Sequence, residues 1–125
     1  MDEQVIMLEA FPDRVGYKLS EAYRSVIWLP HESLPPIIAE CRIRSSTFGE
    51  YKTYAMRLDK YMYCMQLAEM MGGFFHIVTG WDDGVIAVAQ LVTERSCHFT
   101  IKTAMVGNVA EPAVHIPIGA FKIIK

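Results

Sequence analysis

The chain has 125 residues, a hydrophobic fraction of 52% and a formal net charge of −2. This length fits one domain spanning residues 1–125, and the apolar content excludes a disordered chain. The small net charge excludes a protein that coats nucleic acid with a wholly basic surface. No apolar run approaches the roughly 20 residues that span a bilayer, and the acidic residues 2–3 do not fit a secretory signal. We therefore expect an intracellular protein that does not enter membranes.

The first predicted elements are a short helix and two strands. Residues 2–10 predict a helix that ends at Pro12-Asp13. Residues 23–29 are rich in β-branched and aromatic side chains and predict a strand. A proline-rich loop, residues 30–36, separates this strand from a second strand at residues 37–44. We expect the two strands to pair as an antiparallel hairpin.

The second strand has two different faces, because successive side chains of a strand point to opposite sides. One face is apolar and consists of Ile37, Ala39, Cys41 and Ile43. The other face carries charges and consists of Ile38, Glu40, Arg42 and Arg44. We expect the apolar face to be buried and Cys41 to be a buried free thiol.

A long helix over residues 51–71 is predicted to follow a polar turn. Apolar side chains recur there at helical spacing and form the expected buried stripe: Tyr54, Leu58, Tyr61, Met62, Met65 and Ala68. Gly72-Gly73 is typical of a helix end. We expect this helix to pack on the apolar face of the second strand.

The remaining elements are predicted to be mostly β. Residues 74–79 and 85–92 predict two strands, and the intervening Asp83-Gly84 is typical of a hairpin turn. Weaker predictions follow: strands at residues 98–104 and 114–118, and a loop at residues 105–112. The order of elements predicts an α/β or α+β domain, with a mixed β-sheet and a long helix packed across it.

Charged residues concentrate between residues 40 and 60, where five Lys or Arg face three acids, a surplus of two positive charges. Glu40 and Arg42 share one face of the predicted strand and lie about 7 Å apart along it. A carboxylate in such a pair can ligate Mg²⁺, and the neighbouring cation can hold a phosphate. The alternative interpretation is a salt bridge that contributes little.

Five short motifs extend this pair along the chain between residues 23 and 121. They are residues 38–45 (IAECRIRS), 51–54 (YKTY), 58–61 (LDKY), 80–84 (GWDDG) and 111–118 (EPAVHIPI). In order and spacing they resemble a group of small phage proteins that is similar to the PD-(D/E)xK nuclease superfamily. The resemblance implies a restriction endonuclease-like fold, and a location in the host cytoplasm or in the virion.

The signature of that superfamily is an Asp, then a Glu or Asp, any residue, and a Lys. Glu40 matches the second acid, Arg42 stands at the Lys position, and Ser25 stands about where the first Asp is expected. Because Arg is always protonated, Arg42 can hold a phosphate but cannot act as a general base. Lys60 is a candidate replacement for the Lys. The candidate replacements for the missing Asp are Glu3, Glu9, Glu21 and Glu32.

Three functions remain open from the sequence. The first is an active Mg²⁺-dependent DNA nuclease with a migrated site, in which Glu40 ligates the metal and Lys60 or Arg42 contacts the phosphate. The second is a catalytically degenerate nuclease-like phage protein without a cofactor, with a structural, accessory or nucleic-acid-binding role. It would contact DNA or phage proteins through Arg42, Arg44, Lys52 and Lys60. The third is an interaction protein unrelated to nucleases. The absence of both the Asp and the Lys favours the second.

Overall fold

A computed structural model describes residues 2–13, 18–23, 25–91, 100–106 and 109–125. The elements in the first part of the chain are α1 (Glu3–Ala10), β1 (Lys18–Leu19), β2 (Val26–Leu29), β3 (Ile37–Ile43), β4 (Thr53–Arg57) and α2 (Leu58–Met70). The later elements are β5 (Phe74–Gly80), β6 (Ile86–Leu91), β7 (Thr100–Val106), β8 (Val109–Pro117) and β9 (Lys122–Ile123). Residues 24, 92, 98 and 99, which belong to three predicted strands, and residues 107–108 of the predicted loop lie outside the described residues.

The main sheet has six described strands in the order β1-β2-β3-β5-β6-β9. β3 lies in its interior, antiparallel to β2 and parallel to β5. The predicted β2–β3 hairpin is therefore confirmed, as is the hairpin of β5 and β6. Gly84 adopts a positive φ of 84° in the second turn, a conformation that glycine tolerates without strain. The sheet is mixed, as predicted.

A second sheet, in the order β4-β8-β7, corrects two of the predictions. Residues 53–57 form strand β4, antiparallel to β8, and not the first turns of a long helix. Residues 109–112 lie in β8 and not in a loop. The predicted long helix is thus limited to the 13 residues of α2. It ends as predicted, because Gly72 has a φ of 68° and the Gly73 amide donates to the Ala68 carbonyl at 2.9 Å.

The two faces of the main sheet are covered by different elements. Ala39 and Cys41 pack in a core with Ile6 and Met7 of α1. Ile38 packs on the other face, in a larger core formed with α2 and the second sheet. The prediction that α2 packs on the Ala39–Cys41 face is therefore wrong. The prediction fails because an interior strand with a parallel neighbour is covered on both faces of the sheet. Both the apolar face and the charged face of β3 are therefore packed against other elements.

The buried side of α2 also differs in detail from the predicted stripe. Its buried residues are Lys60, Tyr61, Cys64 and Ala68, whereas Met62 is 57% exposed. Cys41 and Cys64 are buried free thiols, and burial raises the pKa of each to about 12. Neither described helix is long and apolar enough to cross a membrane.

Candidate functional site

A buried ion pair lies between β3 and α2. Glu40, in the middle of β3, is 3% exposed, and Lys60, in the first turn of α2, is 7% exposed. The Lys60 Nζ lies 2.5 Å from Glu40 Oε1. The Tyr54 hydroxyl of β4 donates to Glu40 Oε2 at 2.9 Å. Both carboxylate oxygens are therefore engaged by donors that come from neighbouring elements.

Ser25 completes this cluster, since Lys60 Nζ also donates to Ser25 Oγ. Ser25 directly precedes β2, whose first residue, Val26, pairs with Glu40 across the sheet. We call the four residues Ser25, Glu40, Tyr54 and Lys60 the Glu40 centre. Two positions of the nuclease signature and the candidate replacement lysine thus converge on one point, whereas the Arg42 side chain is exposed.

The Glu40 centre is neutral overall, because one ammonium ion faces one carboxylate. Burying such a pair is tolerated only when each charge keeps its partner and its hydrogen bonds. Burial, and next the charge of Glu40, raise the pKa of Tyr54, so its hydroxyl stays protonated and remains a donor. Groups of the protein itself therefore compensate the negative charge of the Glu40 carboxylate fully.

The Glu40 centre does not fit a Mg²⁺ ion. Mg²⁺ needs several oxygen ligands in near-octahedral geometry, whereas this centre offers one carboxylate and two hydroxyls. Lys60 already contacts the carboxylate and the Ser25 hydroxyl, and the Tyr54 hydroxyl donates to Glu40. No group of three or more His, Cys, Asp or Glu that could hold a metal occurs among the described residues.

None of the candidate replacement acids joins Glu40 in the described part of the chain. Glu3 and Glu9 lie on α1, on the opposite face of the sheet, and Glu9 pairs with Lys125 at 3.0 Å. Glu21 and Glu32 are exposed. Asp59, next to Lys60 in the sequence, is exposed and pairs with Arg57 at 2.7 Å.

A cavity of about 440 Å³ opens beside the Glu40 centre, and Tyr54, a member of that centre, also lines the cavity. We call it the Arg44 pocket. Its walls are the turn that leads into β4, the start of β4, Trp81 and His115 of β8. The turn is fixed to the β5–β6 hairpin, because the Asp82 amide donates to the Ser46 carbonyl at 3.0 Å and Phe48 packs edge-on against Trp81.

Arg44 is half-buried in this pocket. Its guanidinium lies 4.3 Å from the centre of the Tyr54 ring, and its Nη2 donates to the Ala55 carbonyl at 2.9 Å. Its Nε is buried and has no hydrogen-bond partner among the described residues. No carboxylate of the described residues forms an ion pair with Arg44.

His115 supplies a second such nitrogen to the pocket. Its Nδ1 lies 3.2 Å from Thr53 Oγ1. Its Nε2 is buried and, within the described part of the chain, has no hydrogen-bond partner. The sequence analysis did not identify His115, Trp81 or Tyr51 as site residues. Each lies in one of the five motifs of the sequence, but the motifs do not reveal that these residues meet, because the pocket joins segments that are distant in sequence.

The four cations that the sequence assigns to nucleic-acid contacts fall into three environments. Arg42 and Lys52 are exposed and form no ion pair with a described residue. Arg44 lines the pocket, and Lys60 is buried against Glu40. Lys60 therefore cannot reach a phosphate unless the Glu40 centre opens.

Comparison with known proteins gives no match to a family model, to a curated protein or to a solved structure.

Proposed function

We propose that this protein is a catalytically inactive nuclease-like accessory protein of a phage, which binds nucleic acid without cutting it. The observation that carries the proposal is the position of Lys60 Nζ between Glu40 Oε1 and Ser25 Oγ. In the signature that the sequence resembles, two acids at the positions of Ser25 and Glu40 would face a metal ion. Here an ammonium group lies between those positions.

The ion pair supports inactivity on energetic grounds. A metal ion would have to displace Lys60 from Glu40 and leave a buried ammonium without its partner. Breaking a buried pair by removing one partner costs about 3–5 kcal/mol. A single carboxylate offers too few ligands to offset that cost.

The binding role is supported by exposed cations near the Glu40 centre. Arg42 and Lys52 have no acidic partner in the described part of the chain, and Arg44 lies two residues beyond Arg42. Two or three phosphate contacts give weak binding, whose affinity falls about 10- to 40-fold between 50 and 200 mM salt. The residues proposed for binding are therefore Arg42, Arg44 and Lys52, without Lys60.

The test combines a cleavage assay and a binding assay on one preparation. Purified protein is incubated with single- and double-stranded DNA in Mg²⁺, Mn²⁺ or EDTA, and we expect no cleavage in any condition. Metal-dependent cutting that disappears in Glu40→Gln, and survives in Glu50→Gln as the matched exposed control, would overturn the proposal.

The binding assay measures the dissociation constant for the same DNA at several salt concentrations. We expect Arg42→Gln and Lys52→Gln each to weaken binding and to reduce the slope of log K against log salt by about 1. Lys125→Gln is the control, because Lys125 already pairs with Glu9. A dissociation constant that does not change with salt would contradict a role in phosphate binding.

A further inference from the structure

We propose that the Arg44 pocket binds a phosphate monoester attached to a flat ring, which is the chemistry of a nucleotide. The source is either a free mononucleotide or the terminal nucleotide of a nucleic acid. The inference deepens the proposed function and rests on it only for the second source.

The first argument is an imbalance of charge. The buried network that runs from Lys60 through Glu40 and Tyr54 to Arg44 contains two cations and one carboxylate. Lys60 neutralises Glu40, so the charge of Arg44 has no counterion among the described residues. Burying a guanidinium that has no carboxylate partner costs free energy, and a bound anion offsets this cost. The planar set of donors of the guanidinium matches the oxygens of a phosphate.

The second argument is a pair of nitrogen atoms that have no hydrogen-bond partner among the described residues. Arg44 Nε and His115 Nε2 are both buried, and both residues line the same cavity. When the Thr53 hydroxyl donates to Nδ1, His115 Nε2 carries a proton and is a donor. Buried donors without partners are rare in folded proteins and call for a bound group. The hydroxyls of Ser45, Ser46 and Thr47 line the same cavity and can add hydrogen bonds.

The third argument concerns the flat ring. Tyr51 also lines the pocket, yet its side chain is 63% exposed. An exposed aromatic ring at the edge of a cationic pocket provides a surface on which a nucleobase can stack. The cavity volume of about 440 Å³ lies within the usual range for small-molecule sites.

One residue of the pocket carries a negative charge that repels an anion, and its substitution tests whether the pocket binds a phosphate. Glu50 lines the pocket, and its Oε1 accepts from the Thr47 amide and hydroxyl at 3.3 Å. Its negative charge weakens the attraction of a phosphate. Removal of this charge should therefore strengthen binding.

The experiment follows the fluorescence of Trp81 in a Trp28→Phe background, where Trp81 is the remaining tryptophan of the chain. The probes are AMP, adenosine and inorganic phosphate. We expect saturable binding of AMP, weaker binding of phosphate and the weakest binding of adenosine. Arg44→Gln should weaken AMP binding about 10- to 100-fold, since a hydrogen bond to a charged group contributes about 1.5–3 kcal/mol.

Three further variants separate the contributions. Tyr51→Ser should weaken AMP but not phosphate, Glu50→Gln should tighten both, and Lys125→Gln, at a lysine that pairs with Glu9 outside the pocket, should change neither. The absence of saturable AMP binding by the wild type would overturn the inference, and so would an Arg44→Gln variant that binds AMP normally. Thermal melting confirms that each variant is folded.

Oligonucleotides with a 5′-phosphate or a 5′-hydroxyl then identify the source. A preference for the phosphorylated strand supports a bound strand end, and AMP binding without that preference supports a free mononucleotide. AMP binding combined with no DNA binding would remove the proposed function and leave the pocket assignment standing.

Discussion

The Glu40 centre and the Arg44 pocket share Tyr54 but differ in whether the protein itself neutralises their charged group. In the centre, the carboxylate is closed off by Lys60 and by the Tyr54 hydroxyl. In the pocket, the guanidinium of Arg44 faces a cavity and has no acidic partner among the described residues. A charge that the protein neutralises itself contributes to the structure, whereas a charge left facing a cavity is suited to a ligand. Three stability measurements test this difference.

The largest effect is expected from breaking the ion pair. Glu40→Ala should lower the free energy of unfolding by about 3–5 kcal/mol, because it leaves Lys60 buried without a partner. The triple variant Glu40→Leu, Lys60→Met and Tyr54→Phe should be neutral or more stable by about 1–4 kcal/mol, because it removes both charges together with the hydroxyl that would lose its acceptor. Denaturant unfolding measures these values.

The matched control is Glu69→Ala, at an exposed carboxylate of α2 without an ion pair in the described part of the chain. Its free energy of unfolding should change by less than about 0.5 kcal/mol. If Glu40→Ala behaves like this control, the ion pair is not the closed structural unit that we describe.

An intermediate effect is expected at Tyr54. Tyr54→Phe keeps the ring beneath Arg44 and removes the hydrogen bond to Glu40 Oε2. We expect a loss of about 1.5–3 kcal/mol, the usual contribution of a hydrogen bond to a charged group. The exposed Tyr51→Phe is the control, and equal losses in the two variants would show that the buried hydroxyl does not support the carboxylate.

The smallest effect is expected at Arg44. Arg44→Gln loses the contact with the Tyr54 ring, about 0.5–1 kcal/mol, and the hydrogen bond to the Ala55 carbonyl, but it also removes a half-buried charge that has no counterion among the described residues. These contributions oppose each other, so we expect a net change below about 1 kcal/mol in thermal or denaturant unfolding. A loss as large as that of Glu40→Ala would mean that the guanidinium is a structural charge.

The sequence predicts the main sheet better than the second one, because the main sheet follows local patterns. Strand β3 alternates clearly, and the turn before β6 carries Asp83-Gly84. Strand β4 is misassigned because Tyr54, Leu58 and Tyr61 also fit a helical spacing. Its pairing with β8 decides the structure, and β8 is too distant in sequence for a local pattern to reveal that pairing.

The same distinction applies to the site. Glu40, Ser25 and Lys60 are found through motifs, and the structure brings them together. From the sequence, Glu40 is expected on a solvated or catalytic face of β3, because a carboxylate in a strand is usually exposed. Its burial depends on Lys60 from another element, which the alternation within one strand cannot reveal. The Arg44 pocket joins three separate segments, residues 44–55, Trp81 and residues 115–118, and no local pattern reveals that they meet.

The pairing of β4 with β8 also affects the order in which the molecule can assemble. The hairpin of β2 and β3 forms from nearby residues, but Thr53 meets Pro117 only after the intervening chain has folded back. The entropic cost of closing such a loop grows with the length of the loop, and non-local strand pairing slows folding. Because Thr53 and His115 are hydrogen-bonded neighbours on these two strands and both line the Arg44 pocket, the pocket acquires its shape only when this long-range pairing has formed. Its shape therefore depends on contacts that no local segment of the chain supplies.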